Sequence, residues 1–349
     1  MSVGTSILKR RPSLGVLGGN GPVREQCKRA NPIWGKRVLA RQRGFGPIAA
    51  VPESIPCPER ATLALINPHA GHAAALIEPL RAALGADRLE VTPDAATARS
   101  RLAALPPRQR VIVVGGDGTL QALLTAFVER DHELALLPLG NGNDLARALG
   151  LVRRDWRATL AHLDRAPASS MDLGRLDVPG RAPQWFASSL AIGFDAAVGH
   201  RVHRSSLRLR GLLRYLHATF AELRTLQPYE LEVALDSEPA QRARFLLASC
   251  LNTATYGAGM RAAPGARIDD GRLQWLGVRG WGKFTAPLAL PLMLAGLHRG
   301  LPGIALRDFA RAHFAADAPV PLLLDGEPAE AAARFEVTVR PAALRVVRA

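Results

Sequence analysis

The five residues Gly115-Gly116-Asp117-Gly118-Thr119 follow the apolar run Val111–Val114 and precede an apolar helical pattern. Glycine at three of the five positions permits positive φ and lets phosphate oxygens approach the main chain. A helix starting near Thr119 would aim its first N–H groups at the same point. The pattern G-x-x-x-x-G-K-[ST] occurs nowhere in the chain, so this turn has no lysine of that kind, and Asp117 carries the wrong sign for a phosphate. Magnesium resolves the conflict, because Asp117 then binds the ion, directly or through water, instead of repelling the phosphate. The same residues also suit a plain tight turn with a helix-capping aspartate.

Alternating elements position this turn. Strands are expected at 62–67, 88–92, 110–116 and 134–140, with helices after each. Thr92 followed by Pro93 predicts an N-cap and a first-turn proline. A single helix is expected over 119–130, and another from 143 to 151. Strands alternating with helices through short links predict a parallel sheet covered on both faces. Ligands of such sheets sit at the carboxyl ends of the strands. The turns "NPHAG" (67–71), "GGDGT" (115–119) and "PLGNGND" (138–144) all fall there. From about residue 168 the rhythm becomes mostly β, interrupted by one long helical segment over 198–226. The last residues read as strands joined by turns, with Asp325-Gly326 a hairpin signal.

The chain has 349 residues, 48% of them hydrophobic, enough for two cored domains. Its three cysteines form no C-x-x-C pair, which favours a reducing, cytoplasmic setting. His200 and His203 can share a helix face, without a further metal ligand nearby. The net charge is +15, and residues 1–60 hold +8 of it in a Gly/Pro-rich stretch without core periodicity. That stretch reads as a disordered basic extension lacking the apolar core of a signal peptide. Nucleic-acid binding rests on this charge alone, and no specific nucleic-acid site is read. "FTAPLALPLMLAGL" (284–297) is too short to span a bilayer and reads as buried or interfacial. In the segment 200–226, Leu209, Leu212, Leu213, Leu216 and Phe220 recur at helical spacing beside Arg201, Arg204, Arg208, Arg210 and Arg214. It suits either an anionic membrane surface or a core-packed helix with a solvated basic face.

Five motifs, "NPHAG", "GGDGT", "PLGNGNDLAR", "AAPGARIDDGRL" (262–273) and "LDGEP" (324–328), stand in an order and spacing that resembles the diacylglycerol kinase catalytic family. That family includes bacterial lipid kinases and sphingosine and ceramide kinases. NAD kinases and phosphofructokinases share GGDGT; the DDG and DGE motifs favour the lipid kinases. The resemblance implies a Rossmann-like α/β nucleotide domain at 61–165, a mostly β, sandwich-like lipid domain at 166–318, and a segment at 319–349 returning to the first. The active site is expected in the cleft between the domains.

By this resemblance Asn67, Gly71 and Thr92 contact ATP, Gly115, Gly116, Asp117, Gly118 and Thr119 hold its phosphates, and Asn141 stands where the family has threonine. Gln121 and Ala122 replace the family's Asn-Glu. Asp270 matches a magnesium ligand, completed by the main-chain carbonyls of Arg267 and Arg272. Asp144 and Asp172 would link that ion through water to Asp117. Glu327 matches the proton acceptor for a lipid hydroxyl attacking the γ-phosphate, with Asp117 the other catalytic carboxylate. A diacylglycerol-like or sphingoid lipid at a membrane surface is the implied partner, with peripheral contact at the inner face and a homodimer left open. An NAD kinase-like soluble-metabolite kinase and a non-catalytic lipid- or nucleotide-binding protein are the alternatives.

Overall fold

The computed structural model describes residues 62–349 apart from 141, 153–154, 206–211, 225–227, 258 and 283–284. The basic extension at 1–60, Asn141, Arg208, Leu209 and Arg210 therefore lie outside the described residues. Residues Cys57–Ala349 belong to one unit.

The first half alternates. β1 (Leu63–Ile66), α1 (Ala73–Leu84), β2 (Leu89–Val91), α2 (Ala95–Ala104) and β3 (Arg110–Gly115) are followed by α3 (Asp117–Gln121) and α4 (Leu124–Arg130). β4 (Glu133–Pro138), α5 (Asp144–Ala148) and α6 (Trp156–Arg165) complete it. The strands run parallel in the order β2-β1-β3-β4. Every residue of β1 and β3 is buried, as a sheet covered on both faces requires. The order reverses direction at β1, and a ligand site is expected there, at the carboxyl ends of the strands.

Two local expectations are corrected here. Thr92 does not cap α2: its backbone N–H is still in register with β1, donating to Ile66 O at 2.9 Å, and its hydroxyl turns to the same carbonyl. Asp94 is the cap, accepting from Thr97 N at 2.7 Å. The helix expected over 119–130 starts earlier, at Asp117, and is broken between Gln121 and Leu124.

The second half is mostly β. β5 (Ala168–Asp177), β6 (Gln184–Phe186) and β7 (Ser189–Gly193) lead into α7 (Phe194–Arg204) and α8 (Leu212–Arg224), two helices where one long segment was expected. Then come β8 (Tyr229–Leu235), β9 (Gln241–Leu251), β10 (Leu273–Arg279), α9 (Ala286–Ala295), β11 (Ile304–Phe309), β12 (Arg311–Leu324) and β13 (Glu327–Val347). Phe186, Phe245, Trp275, Phe314 and Phe335 anchor one β core; a second apolar cluster lies under α7, α8 and α9. The Asp325-Gly326 turn forms as expected: both residues have positive φ, and Leu324 pairs with Glu327.

β13 joins the two halves. Its first part pairs antiparallel with β12 and β5, and Arg345 and Val346 pair parallel with Glu133 and Leu134 of β4. At this seam Glu133 is fully buried between two arginines, Arg110 at 3.0 Å and Arg345. Arg110 also donates to the carbonyls of Leu163 and Asp164. Removing one member of a buried ion pair leaves its partners uncompensated. Glu133→Ala should therefore lower stability by about 3–5 kcal/mol in urea unfolding. A loss below about 1 kcal/mol would place the cluster with ordinary surface pairs.

Candidate active site

The loops after β1, β3 and β4 are fastened to one another through main chain. Asn67 N donates to Val114 O at 3.2 Å, and Leu139 N to Gly115 O at 2.9 Å. The Asn67 side chain donates to Thr119 Oγ1 at 3.1 Å and accepts from His69 N at 2.9 Å. It thus bridges the switch point of the sheet. A cleft of about 710 Å³ opens above these loops. Asn67, Thr92 and Gly116–Thr119 line it on one side; Val202 and His203 of α7 and the turn Asp325–Glu327 line it on the other.

Gly115, Gly116 and Gly118 do not use the positive φ that glycine permits; Gly116 is extended, with φ −113°. Their glycines serve close approach instead. A Cβ on Gly115 would lie 2.8 Å from Thr119 Cβ, and one on Gly116 would lie 3.0 Å from Gly140 Cα. At Gly118 it would sit 2.1 Å from Glu327 Oε1. Gly118 therefore has no side chain because the Glu327 carboxylate rests on it. Gly142 makes the same room for Asp117, whose Oδ2 would be 2.5 Å from an added Cβ. Gly71 does have positive φ, 52°, and backs the cleft without lining it, its Cα face pressed on Leu139 O.

Carboxylates crowd this space. Asp117 Oδ2 accepts from Asp144 N at 3.3 Å, and Asp144 Oδ1 accepts from Gly259 N at 3.0 Å. Burial, and then the charge of Asp144, push Asp117 up to about 6. Asp325 accepts three N–H groups, from Ala187 and Ser188 at 2.7 Å and from Ser189 at 2.9 Å. Burial still outweighs those donors and raises Asp325 to about 7, with a smaller push from Asp117. His203 Nε2 lies 2.8 Å from Gly326 O, so it carries the proton, and Nδ1 faces Glu327 Oε2 at 4.0 Å. Among the described residues lining the cleft, His203 has the only basic side chain.

Asp117 lines the cleft, whereas Asp270, Arg267 and Arg272, the other residues expected to hold magnesium, do not. Asp270 Oδ1 accepts from Arg272 N at 3.0 Å. Asp172 accepts from Gly271 N at 2.6 Å and Ala342 N at 2.8 Å, tying this turn to β13. The side chains of Arg267 and Arg272 pair with Asp269 and Asp236. Among the described residues no three His, Cys, Asp or Glu side chains are grouped to hold a metal.

Residues 61–176 match the diacylglycerol kinase catalytic domain, and residues 188–348 match the YegS C-terminal NAD kinase beta sandwich-like domain. A diacylglycerol kinase of Mycobacterium tuberculosis is 31% identical over 294 residues, covering 82% of this chain and 94% of that protein. The chain belongs to the diacylglycerol kinase family of lipid kinases. A "Probable lipid kinase YegS-like" protein of Stenotrophomonas maltophilia is 30% identical over 245 residues, 68% of this chain and 77% of that one. The crystal structure of a diacylglycerol kinase from Bacillus anthracis superposes with a TM-score of 0.59 at 16% identity, over 83% of this chain and 97% of that one, and so shares the fold. As expected from sequence, this kinase-family chain combines an α/β nucleotide-type domain with a β-sandwich-like one. Among the described residues no helix is long and apolar enough to cross a membrane.

Sequence reasoning missed Asp325 and His203 as cleft residues. His200 and His203 do share a face of α7, but each meets a carbonyl, Leu322 O and Gly326 O, and so pins the helix to the hairpin that carries Glu327.

Gly118→Ala tests the fit of Glu327. Gly118 is not at positive φ, so the added methyl should leave the thermal midpoint nearly unchanged and displace only the flexible carboxylate. Kinase turnover should fall about 10²-fold, the scale of an ångström-sized misplacement. Full turnover would separate Gly118 from the chemistry.

The carboxyls set a pH dependence. Asp117 and Asp325 have folded-state values of about 6 and about 7, above the ordinary 3.8. Each stabilises the fold fully only below its unfolded value, and that contribution is lost as pH rises through the folded one. The protein should therefore lose thermal stability between about pH 4 and pH 7, and Asp117→Asn should lose less. An equal fall in both proteins would refute the assignment.

Proposed function

We propose that this kinase transfers the γ-phosphate of ATP to the hydroxyl of a diacylglycerol-like or sphingoid lipid. The observation that carries this reading is the convergence of Glu327 on the glycine turn, with its carboxylate resting on Gly118 beside Asp117. A base seated there is adjacent to any phosphate bound by the turn. In this reading residues 61–165 hold the nucleotide, 166–318 present the lipid, and 319–349 bring Glu327 back to the cleft. The protein then works in the cytoplasm at the inner face of the membrane.

The chain's own groups divide the work. N–H groups at Gly116–Thr119 donate to phosphate oxygens brought against the main chain, and Asn67 holds Thr119 in place. Glu327 accepts the proton of the lipid hydroxyl as its oxygen attacks in line. His203, donating to Gly326 O, fixes the turn from which Glu327 projects and places Nδ1 behind the carboxylate. Asp325 anchors the other side of that turn.

The donor set suits a hard cation. Asp117 and Asp144 crowd like charges in a cleft without lysine or arginine among its described lining residues. Magnesium takes one or two carboxylates and completes its shell with phosphate and water oxygens. Asp117 would hold the ion that accompanies the nucleotide, and Asp270 with the Arg267 and Arg272 carbonyls a second one. Magnesium would supply neutralisation of phosphate charge.

Glu327→Gln keeps size and removes the basic carboxylate. Turnover with ATP and the preferred lipid should fall roughly 10²–10⁴-fold while ATP affinity changes little. Asp117→Asn should weaken magnesium-dependent nucleotide binding as well. Retention of more than about a tenth of the turnover in Glu327→Gln, below the usual general-base contribution, would make Asp117 the base instead.

A further inference from the structure

The C-terminal end of α9 and the residue after its cap leave large apolar side chains outside the fold. From residue 286 to 297 the sequence is APLALPLMLAGL, without one charged or hydrogen-bonding side chain. A helix apolar on all sides is normally buried in a core or in lipid. Among the described side chains at its C-terminal end, the fold takes few. Met293 is 2% exposed, and His298 beyond the helix is fully buried, its Nε2 donating to Ala262 O at 3.0 Å. Leu292, Leu294 and Leu297 remain 37%, 47% and 68% exposed. They are three of the five large hydrophobic side chains standing out among the described residues; Phe220 of α8, 58% exposed, is another.

Two arginines flank this patch. Arg261 packs its stem against Gly296, within 3.1 Å of where a Cβ would stand, and Arg299 follows Leu297 by two residues. Both are exposed, and neither makes an ion pair among the described residues. Leucines bounded by unneutralised arginines match an anionic bilayer, whose headgroups take the charge and whose acyl boundary takes the side chains. The patch is also mechanically continuous with the cleft. Met293 belongs to the apolar cluster that includes Ala218 and Leu223 of α8 and receives Val202, and Val202 lines the cleft beside His203.

We infer that the C-terminal end of α9, through Leu292, Leu294 and Leu297 with Arg261 and Arg299, is the surface by which this kinase docks on anionic membranes. The inference rests on the lipid-kinase reading, and it moves the docking surface from the basic segment 200–226 to an apolar element far along the chain. Leu292, Leu294 and Leu297 enter the headgroup–acyl boundary, and the arginines hold the headgroups.

The test uses the full chain and vesicles of phosphatidylglycerol and phosphatidylcholine that contain no substrate lipid. Leu294→Glu with Leu297→Glu should reduce co-sedimentation at least ~10-fold, the loss expected for two leucines that no longer leave water. Leu297→Trp keeps an apolar side chain, should bind as the parent does, and should gain an emission component that moves to shorter wavelength on the vesicles. Arg261→Ala and Arg299→Ala should each weaken binding to these vesicles about fivefold and leave binding to pure phosphatidylcholine unchanged. Turnover of the glutamate pair should fall on vesicle-borne diacylglycerol and stay at the parent level on a soluble short-chain analogue. Vesicle binding equal to the parent's in the glutamate pair overturns the docking surface, whatever the activity. So does a change from dimer to monomer with vesicle binding intact, which would make the patch a contact between copies of the chain. If the parent phosphorylates neither lipid yet docks through these leucines, the kinase substrate reading fails and the docking surface stands.

Discussion

Glu327 is the first residue of a 21-residue strand that ends beside β4. The cleft glutamate and the parallel sheet are thus two ends of one hydrogen-bonded ladder. Sliding that strand by one position would turn every side chain to its opposite face. It would also break the Glu133 cluster at one end and lift the glutamate off Gly118 at the other. At the turn itself Asp325 is held by three consecutive N–H groups from residues 187–189. The place of the Glu327 backbone over the glycine turn is therefore set by sheet register and by one buried carboxylate.

The electrostatics follow from that construction. The described cleft gathers Asp117, Asp325 and Glu327, with Asp144 just behind, against a single imidazole. In a buried setting such carboxyls hold their protons more tightly, and the raised values of Asp117 and Asp325 express this. Burial and like charge thus act together at this point of the fold, and Asp117 feels both, first its desolvation and then the charge of Asp144.

Much of this was legible in the sequence because it is local. The uninterrupted apolar runs of β1 and β3, the switch to alternating patterns after residue 168, and the Asp325-Gly326 hairpin all depend on neighbours within a few positions. What failed was long-range. The GGDGT glycines read as room for close approach, but what approaches them is other parts of the chain, as Glu327 does at Gly118. Asp325 meets Ala187 across 138 residues, and His203 meets Gly326 across 123. No periodicity carries such pairings. Thr92 was misread for a related reason: a cap pattern competes with strand register, and here the strand kept the threonine.

The contact between the loops after β1, β3 and β4 has a wider meaning. Gly71 lies on the carbonyl of Leu139, and the Cα atoms of Gly116 and Gly140 approach so closely that a methyl on either would collide with the other. The floor of the cleft is consequently written in peptide groups, which every amino acid possesses. Side chains around it, such as Gln121, which donates to Trp185 O at 2.8 Å, add contacts to a shape that the main chain already sets. What this floor demands of the sequence is the spacing of its glycines, more than any one side chain.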